Sequence, residues 1–130
     1  MRTDAIRLAQ AKVREFHEKF GCAIGDGPEL REAVLRRALI VEEALETSEA
    51  INRGDLPEAV DGLCDLIYVC LGAAVTWGVD LDPILRAVHE SNMAKEGGAT
   101  RIDGKILKPP GWTPPDVAGL LREQGWEGGK

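Results

Sequence analysis

A chain of 130 residues, 44% hydrophobic and 29% charged, is long enough to bury the core of one domain and too short for two. Twenty-two acidic against sixteen basic residues leave a net charge of −6, which disfavours sequence-independent binding to a nucleic-acid backbone. Three cysteines, Cys22, Cys64 and Cys70, lack metal-ligand spacing and read as buried thiols of a reducing compartment.

The first residues, Met1-Arg2-Thr3-Asp4, begin no apolar signal core, and no window approaches the roughly 18 uncharged apolar residues of a membrane span. A cytoplasmic location without membrane contact is expected. Ile6, Ala9, Val13, Phe16 and Phe20 recur every three or four residues and predict a first amphipathic helix ending near Gly21. After a turn over residues 22–28, Asp26 and Glu29 have capping-box spacing and Pro28 suits a first turn. A second helix is therefore expected from there to about Arg53, closed by Gly54. Its inward stripe reads as Val41, Ala44, Leu45, Ser48 and Ile51, with Glu42, Glu46 and Glu49 on one flank and Glu43 on the other. Asp55 and Glu58 repeat the capping spacing and open a third helix, which carries Asp61 and Asp65 one turn apart and stops at Gly78. Asp82-Pro83 reads as the N-cap and first position of a fourth helix, with Ile84, Leu85 and Val88 inside and an end near Met93. Residues 96–116 turn to Gly, Pro and Lys, too rich in breakers for regular structure and suited to a lid. A short helix over about 115–124 follows, with frayed last residues. The expected fold is all-α, a bundle of four principal helices over residues 1–95 with residues 96–130 as a tail of the same domain.

Asp65 interrupts the apolar run Leu63-Cys64-Asp65-Leu66-Ile67-Tyr68-Val69, and a lone carboxylate in a dry helix face costs several kcal/mol unless it is paired or protonated. Glu42, Glu43 and Glu46 put three more carboxylates within one helical turn. If the second and third helices pack antiparallel, as their short connection demands, these residues converge with Asp61 and Asp65. The ordinary fate of a Glu run is a solvated helix face, and Asp65 weighs against it. A divalent cation held by oxygens from both helices accounts for both sets, Mg²⁺ by preference with Mn²⁺ as a substitute. Glu43, Glu46 and Asp65 are the expected ligands. Glu42 is a further ligand or the base that orients water, and Asp61 is a weaker ligand because a first-turn Asp also complements the helix dipole. Lys105 and Lys108 suit phosphate oxygens by charge. His17 and His89 lack a second histidine at ligand spacing and read as packed or surface residues. Phe16 fits the first stripe, and Trp112 either covers a substrate or pins the tail.

The stretch 39–68 resembles the all-α nucleoside triphosphate pyrophosphohydrolases, the superfamily of MazG, phosphoribosyl-ATP pyrophosphohydrolase and the dimeric dUTPases, in which a Glu-Glu-x-x-Glu helix precedes a Glu-x-x-Asp helix. Glu42-Glu43-Ala44-Leu45-Glu46 matches the first half, and Asp65 followed by Leu66-Ile67-Tyr68 matches the aspartate of the second. Gly62 stands where the family has Glu, with Asp61 one position earlier as its substitute. A MazG-like subgroup extends the resemblance through Val88-His89-Glu90-Ser91-Asn92-Met93-Ala94-Lys95, Asp103-Gly104-Lys105 and Lys108-Pro109-Pro110-Gly111-Trp112, nearly the whole chain. The resemblance implies Mg²⁺-dependent cleavage of a nucleoside triphosphate between its α- and β-phosphates, with Glu42, Glu43, Glu46 and Asp65 as the catalytic set and Asn92 and Lys95 on the nucleotide. It leans toward dUTP, for house-cleaning of the nucleotide pool, with phosphoribosyl-ATP as runner-up. A third helix apolar on more sides than one small bundle covers predicts a homodimer or dimer of dimers, and the resemblance agrees. The competing expectation is no enzyme: a helical dimer whose cation only neutralises carboxylates and whose tail binds a protein partner.

Overall fold

The computed structural model describes residues 4–128, which form five helices: α1 (Ala5–Phe20), α2 (Ala33–Asn52), α3 (Leu56–Trp77), α4 (Leu81–Met93) and α5 (Val117–Glu123). Among these residues there is no strand, only one antiparallel bridge between Thr100 and Ile106, so the all-α expectation holds. The expected fraying falls partly on residues 129–130, which lie outside the described residues.

α3 is the axis of the fold. It packs most extensively on α2 and next on α1, while α4 lies on α1 and α5 on α4. Residues 71–76 of α3 are all buried. Leu71 and Val75 join Val13 of α1 in the core, flanked by Ile6, Ala9, Ile24 and Leu81. The small residues among them set the spacing. A side chain begun at Gly72 would start 3.1 Å from Arg36 Nη1 and 3.3 Å from His17 Nε2, so α1 and α2 close over the same point. Contrary to the sequence reading, α3 is long and apolar enough to cross a membrane by length and composition; in this fold 44% of its most apolar window is buried within the chain.

Several expected boundaries and faces move, each for a tertiary reason. α1 ends as predicted, with Gly21 in the left-handed conformation and Cys22 N–H on the His17 carbonyl. Its buried residues, however, are Val13 and His17. Phe16 and Phe20 stay 41% and 61% exposed, Phe16 meeting Tyr68 edge-on with ring centroids 5.6 Å apart. His17 is packed, its Nδ1 2.9 Å from the Ala23 carbonyl, and His89 is exposed. α2 starts at Ala33, five residues after Pro28, because the preceding strap is bonded to the end of α3. Gly25 and Glu29 donate to the carbonyls of Val75 and Trp77 at 3.0 Å, Arg31 Nη1 donates to Thr76 O, and Trp77 Nε1 donates to Arg31 O at 2.7 Å. Those groups are then unavailable to an earlier helical turn. Glu32 occupies the N-cap position of α2 at φ 50°, a conformation L residues adopt at a cost of about 1 kcal/mol or more, and its side chain makes no capping bond, its carboxylate lying instead 3.6 Å from the buried Arg36.

The inward stripe of α2 is also different. Arg36, Thr47 and Ala50 are buried and Glu43 half-buried, whereas Val41, Ala44, Leu45, Ser48 and Ile51 are exposed. On α3, Leu56, Val60, Leu63, Ile67 and Tyr68 likewise face outward. Cys64 and Cys70 share that exposure, and Cys22 is half-buried, which corrects their reading as buried thiols. α3 starts where expected, Asp55 Oδ1 accepting from Glu58 N–H at 3.1 Å. α4 starts one position before Asp82: Asp80 is the cap, and Asp82 is instead a buried carboxylate paired with Arg86 and, at 3.3 Å, with Arg7. Leu85, expected inside, is exposed.

Residues 96–116 hold more structure than their composition suggests. Leu107 N–H reaches Ala99 O at 2.8 Å, Arg101 N–H reaches Lys105 O at 2.7 Å, and Arg101 grips Asp103 with two hydrogen bonds of 2.9 and 2.6 Å, making a small hairpin. Trp112 Nε1 donates to Ser91 O at 2.8 Å, and the Gln124 amide exchanges hydrogen bonds with the Asp80 backbone, which fastens the tail to both ends of α4.

Candidate active site

The seam between α2 and α3 is set by the contact of Thr47 with Gly62. Both are buried, and a Cβ on Gly62 would overlap Thr47 Oγ1 and stand 3.1 Å from the Thr47 Cα and Cβ. The Thr47 hydroxyl donates back to the carbonyl of Glu43 at 2.7 Å, one turn earlier. Glu43 therefore lies on the packed stripe, one turn from the tightest point of the seam.

Its carboxylate is in an unfavourable place. Oε2 is buried with no hydrogen-bond partner. Desolvation, then the charges of Glu46, Asp65, Glu42 and Asp61, push the Glu43 carboxyl above the ordinary glutamate range. Two residues of α2 and two of α3 thus contribute charge that acts in the same direction on Glu43. Within the predicted acidic set the raised, partly buried carboxyl is that of Glu43 and not of Asp65. Asp65 is exposed, as are Glu42, Glu46 and Asp61, so the dry carboxylate inferred from the apolar run of α3 belongs to α2 instead. The apolar residues beside Asp65 are largely outward-facing, which is why their run did not imply burial of the aspartate.

The seam fits a cation in charge and in its unsatisfied oxygen. A buried acceptor without a donor calls for a proton, a water or a metal, and the neighbouring carboxylates favour positive charge there. As the side chains stand, no three Asp, Glu, His or Cys groups among the described residues are drawn close enough to hold a metal ion. Four of the five carboxylates are exposed and free to turn toward one, and their type, oxygen only, suits a hard divalent ion.

The residues expected on substrate lie elsewhere. Lys95 and Lys108 both stack on the Trp112 ring, with Nζ 5.3 and 5.1 Å from its centroid, Lys105 belongs to the hairpin, and Asn92 is exposed near the end of α4. Among the described residues no hydrogen bond or ion pair links this basic tail to the acidic seam. Sequence reasoning missed Thr47 and its contact with Gly62. The available signal was a small residue in α3 and a Thr placed four residues after Glu43, on the same helix face.

Residues 13–92 match the family model of phosphoribosyl-ATP pyrophosphohydrolase, well over half of the chain, and the protein therefore belongs to that family, part of the MazG-like all-α pyrophosphohydrolase superfamily. It is a pyrophosphohydrolase by family, a hydrolase acting on acid anhydrides. No curated protein matches the chain.

Two outcomes follow from the seam. Gly62→Ala should force α2 and α3 apart and lower stability by about 1 to 3 kcal/mol. Adding Thr47→Ala, which removes the overlapping hydroxyl, should recover part of that loss in urea unfolding; an equal or larger loss in the double variant would mean the contact does not set the seam.

The second concerns pH. Because the folded chain raises the Glu43 carboxyl above its unfolded value, the fold binds more protons there, and stability is lost as pH climbs from the ordinary glutamate range through the raised value. With chelator present, Glu43→Gln should melt above wild type at pH 7 to 8, and the gap should close as pH falls toward the ordinary range. Parallel melting curves across that window would contradict it.

Proposed function

From family membership and the unpartnered Glu43 oxygen, we propose that the protein is a Mg²⁺-dependent nucleoside triphosphate pyrophosphohydrolase that releases a monophosphate and pyrophosphate, with the α2/α3 seam as its active site. The observation that carries the reading is the single half-buried carboxylate surrounded by Glu42, Glu46, Asp61 and Asp65. Glu43, Glu46 and Asp65, with Asp61 beside them, would hold the ion, and Mn²⁺ would serve in its place. Bound there, such an ion would neutralise phosphate charge and acidify a water. Glu42, exposed next to the seam, orients that water and takes its proton as the water oxygen bonds to the α-phosphorus and the bond to the α,β-bridging oxygen breaks. Lys95, Lys105 and Lys108 bind the phosphate chain, and Asn92 contacts the nucleoside.

Two substrates compete. The family's name favours phosphoribosyl-ATP, while the MazG-like tail favours a deoxynucleotide such as dUTP. The tail lies mostly beyond the matched residues 13–92, so the family's name does not by itself choose the base. A homodimer, or a dimer of dimers, would cover the outward apolar stripe of Val41, Leu45 and Ile51 on α2 and Val60, Leu63 and Ile67 on α3. Sedimentation as a monomer at micromolar concentration would remove that part of the reading.

Incubation with Mg²⁺ and a panel including dUTP, the other common triphosphates and phosphoribosyl-ATP should release pyrophosphate from at least one. Release of orthophosphate and a diphosphate would refute the assigned bond. Asp65→Asn should lose at least about a hundredfold in activity. Since Asp65 is exposed, the variant should melt close to wild type under chelator and lose most of the wild type's rise in melting temperature on adding Mg²⁺. An equal Mg²⁺ rise in both would show that Asp65 is not a ligand.

A further inference from the structure

We propose that Trp112 is a positioning residue whose indole gathers Lys95 and Lys108 into one preformed anion-binding pair, an inference that rests on the reading of the tail as the phosphate-binding segment. Lys95 follows α4 and Lys108 follows the hairpin, thirteen positions on in the sequence. The hairpin returns the chain on itself through Leu107 N–H to Ala99 O and the Thr100–Ile106 bridge, with Gly98 meeting the Leu107 carbonyl too closely for any side chain. Trp112 then anchors the junction, Nε1 donating to Ser91 O at 2.8 Å and its backbone N–H closing a turn onto Pro109 O at 3.1 Å. Both ammonium groups sit over this one ring, at 5.3 and 5.1 Å. Neither lysine has an ion-pair partner among the described residues, whereas Arg101 of the hairpin is paired with Asp103.

A tail that needed only pinning would be served by the hydrogen bond to Ser91. Two cations over one ring are held there against their mutual repulsion by the ring quadrupole, and their free N–H donors point to an anion with several oxygens. With both ammonium groups held at the indole, their side-chain freedom is already reduced before the ligand arrives. A phosphate chain offers oxygens to both lysines at once, which a single carboxylate does less well.

The test uses the full chain, with Trp112→Leu, which removes the ring, and Trp112→Phe, which keeps a ring and removes the hydrogen bond to Ser91. Amine acylation followed by mass spectrometry reads the lysines without any ligand, with Lys12 and Lys19 as internal references. Inorganic tripolyphosphate is the binding probe. In Trp112→Leu, acylation of Lys95 and Lys108 should speed up severalfold, the dissociation constant for tripolyphosphate should rise about tenfold, and KM for a cleaved triphosphate should rise with kcat little changed. Trp112→Phe should stay within about twofold of wild type in all three. If Phe is as weak as Leu, the hydrogen bond and not the ring positions the tail, and the proposal fails. It also fails if Trp112→Leu leaves acylation or tripolyphosphate binding unchanged. A wild type that binds tripolyphosphate in a Trp112-dependent way but cleaves no triphosphate would sink the enzymatic reading and leave the pairing intact. A wild type that cleaves triphosphates with a KM indifferent to Trp112→Leu would do the reverse.

Discussion

A carboxylate held in a packed helix seam is the constraint around which this chain is arranged. Thr47 and Gly62 bring α2 and α3 so close that Glu43, one turn from their contact, loses solvent from one oxygen and receives no donor in return. Four further carboxylates bear on it. Such a group of like charges does not assemble itself. It is imposed by the packing of the two longest helices, whose buried surface outweighs the local repulsion, so that the electrostatic cost is met by the fold as a whole and can be recovered when positive charge arrives. The site is in this sense a property of the interface rather than of any one residue.

The same stripe of α2 carries a second buried charge. Arg36, 5% exposed, lies seven residues before Glu43, two turns along the same face, with its Nε lacking a partner and Glu32 at 3.6 Å as its nearest counter-ion. Two turns correspond to about 10 Å of helix, too far for Arg36 to pair with Glu43 directly. The fold therefore keeps a buried cation and a half-buried anion apart on one face. Gly72, opposite Arg36, and Gly62, opposite Thr47, allow this by removing side chains from α3 where α2 presses closest. Polar groups ride the inside of α2 because α3 has made room for them.

That inversion explains what could be read from the sequence and what could not. Local signals were legible: Gly21 and Gly78 end their helices in the left-handed conformation, and Asp55 caps α3. These depend on a few adjacent residues. The starts of α2 and α4 were not legible, because the strap over residues 25–31 is bonded to the end of α3, and Asp82 is taken by Arg7 of α1 as well as by Arg86 one turn further along α4, so that the end of α3 and Arg7, both distant in sequence, decide the two starts. The face of α2 was misread for a different reason. Hydrophobic periodicity reports which side of a helix is apolar, and here that side, with Val41, Leu45 and Ile51, is outward while the side with Thr47 and Ala50 is inward. The acidic residue types were legible as a set. Which of them is dry was not, since the apolar run around Asp65 belongs largely to the outward surface.

The division of the chain at the end of the family match carries a consequence for specificity. Residues 13–92 contain all five carboxylates of the seam, whereas Lys95, Lys105, Lys108 and Trp112 fall after it. On the proposed reading, bond cleavage depends on the part that the family shares and phosphate capture largely on a segment fastened separately to α4 through Ser91 and Asp80. A segment attached at two points, with a hairpin between them, can change in sequence without disturbing the α2/α3 seam, because among the described residues its hydrogen bonds do not pass through α2 or α3. On that same proposed reading, selection among triphosphates would be altered in the tail without loss of the acidic centre.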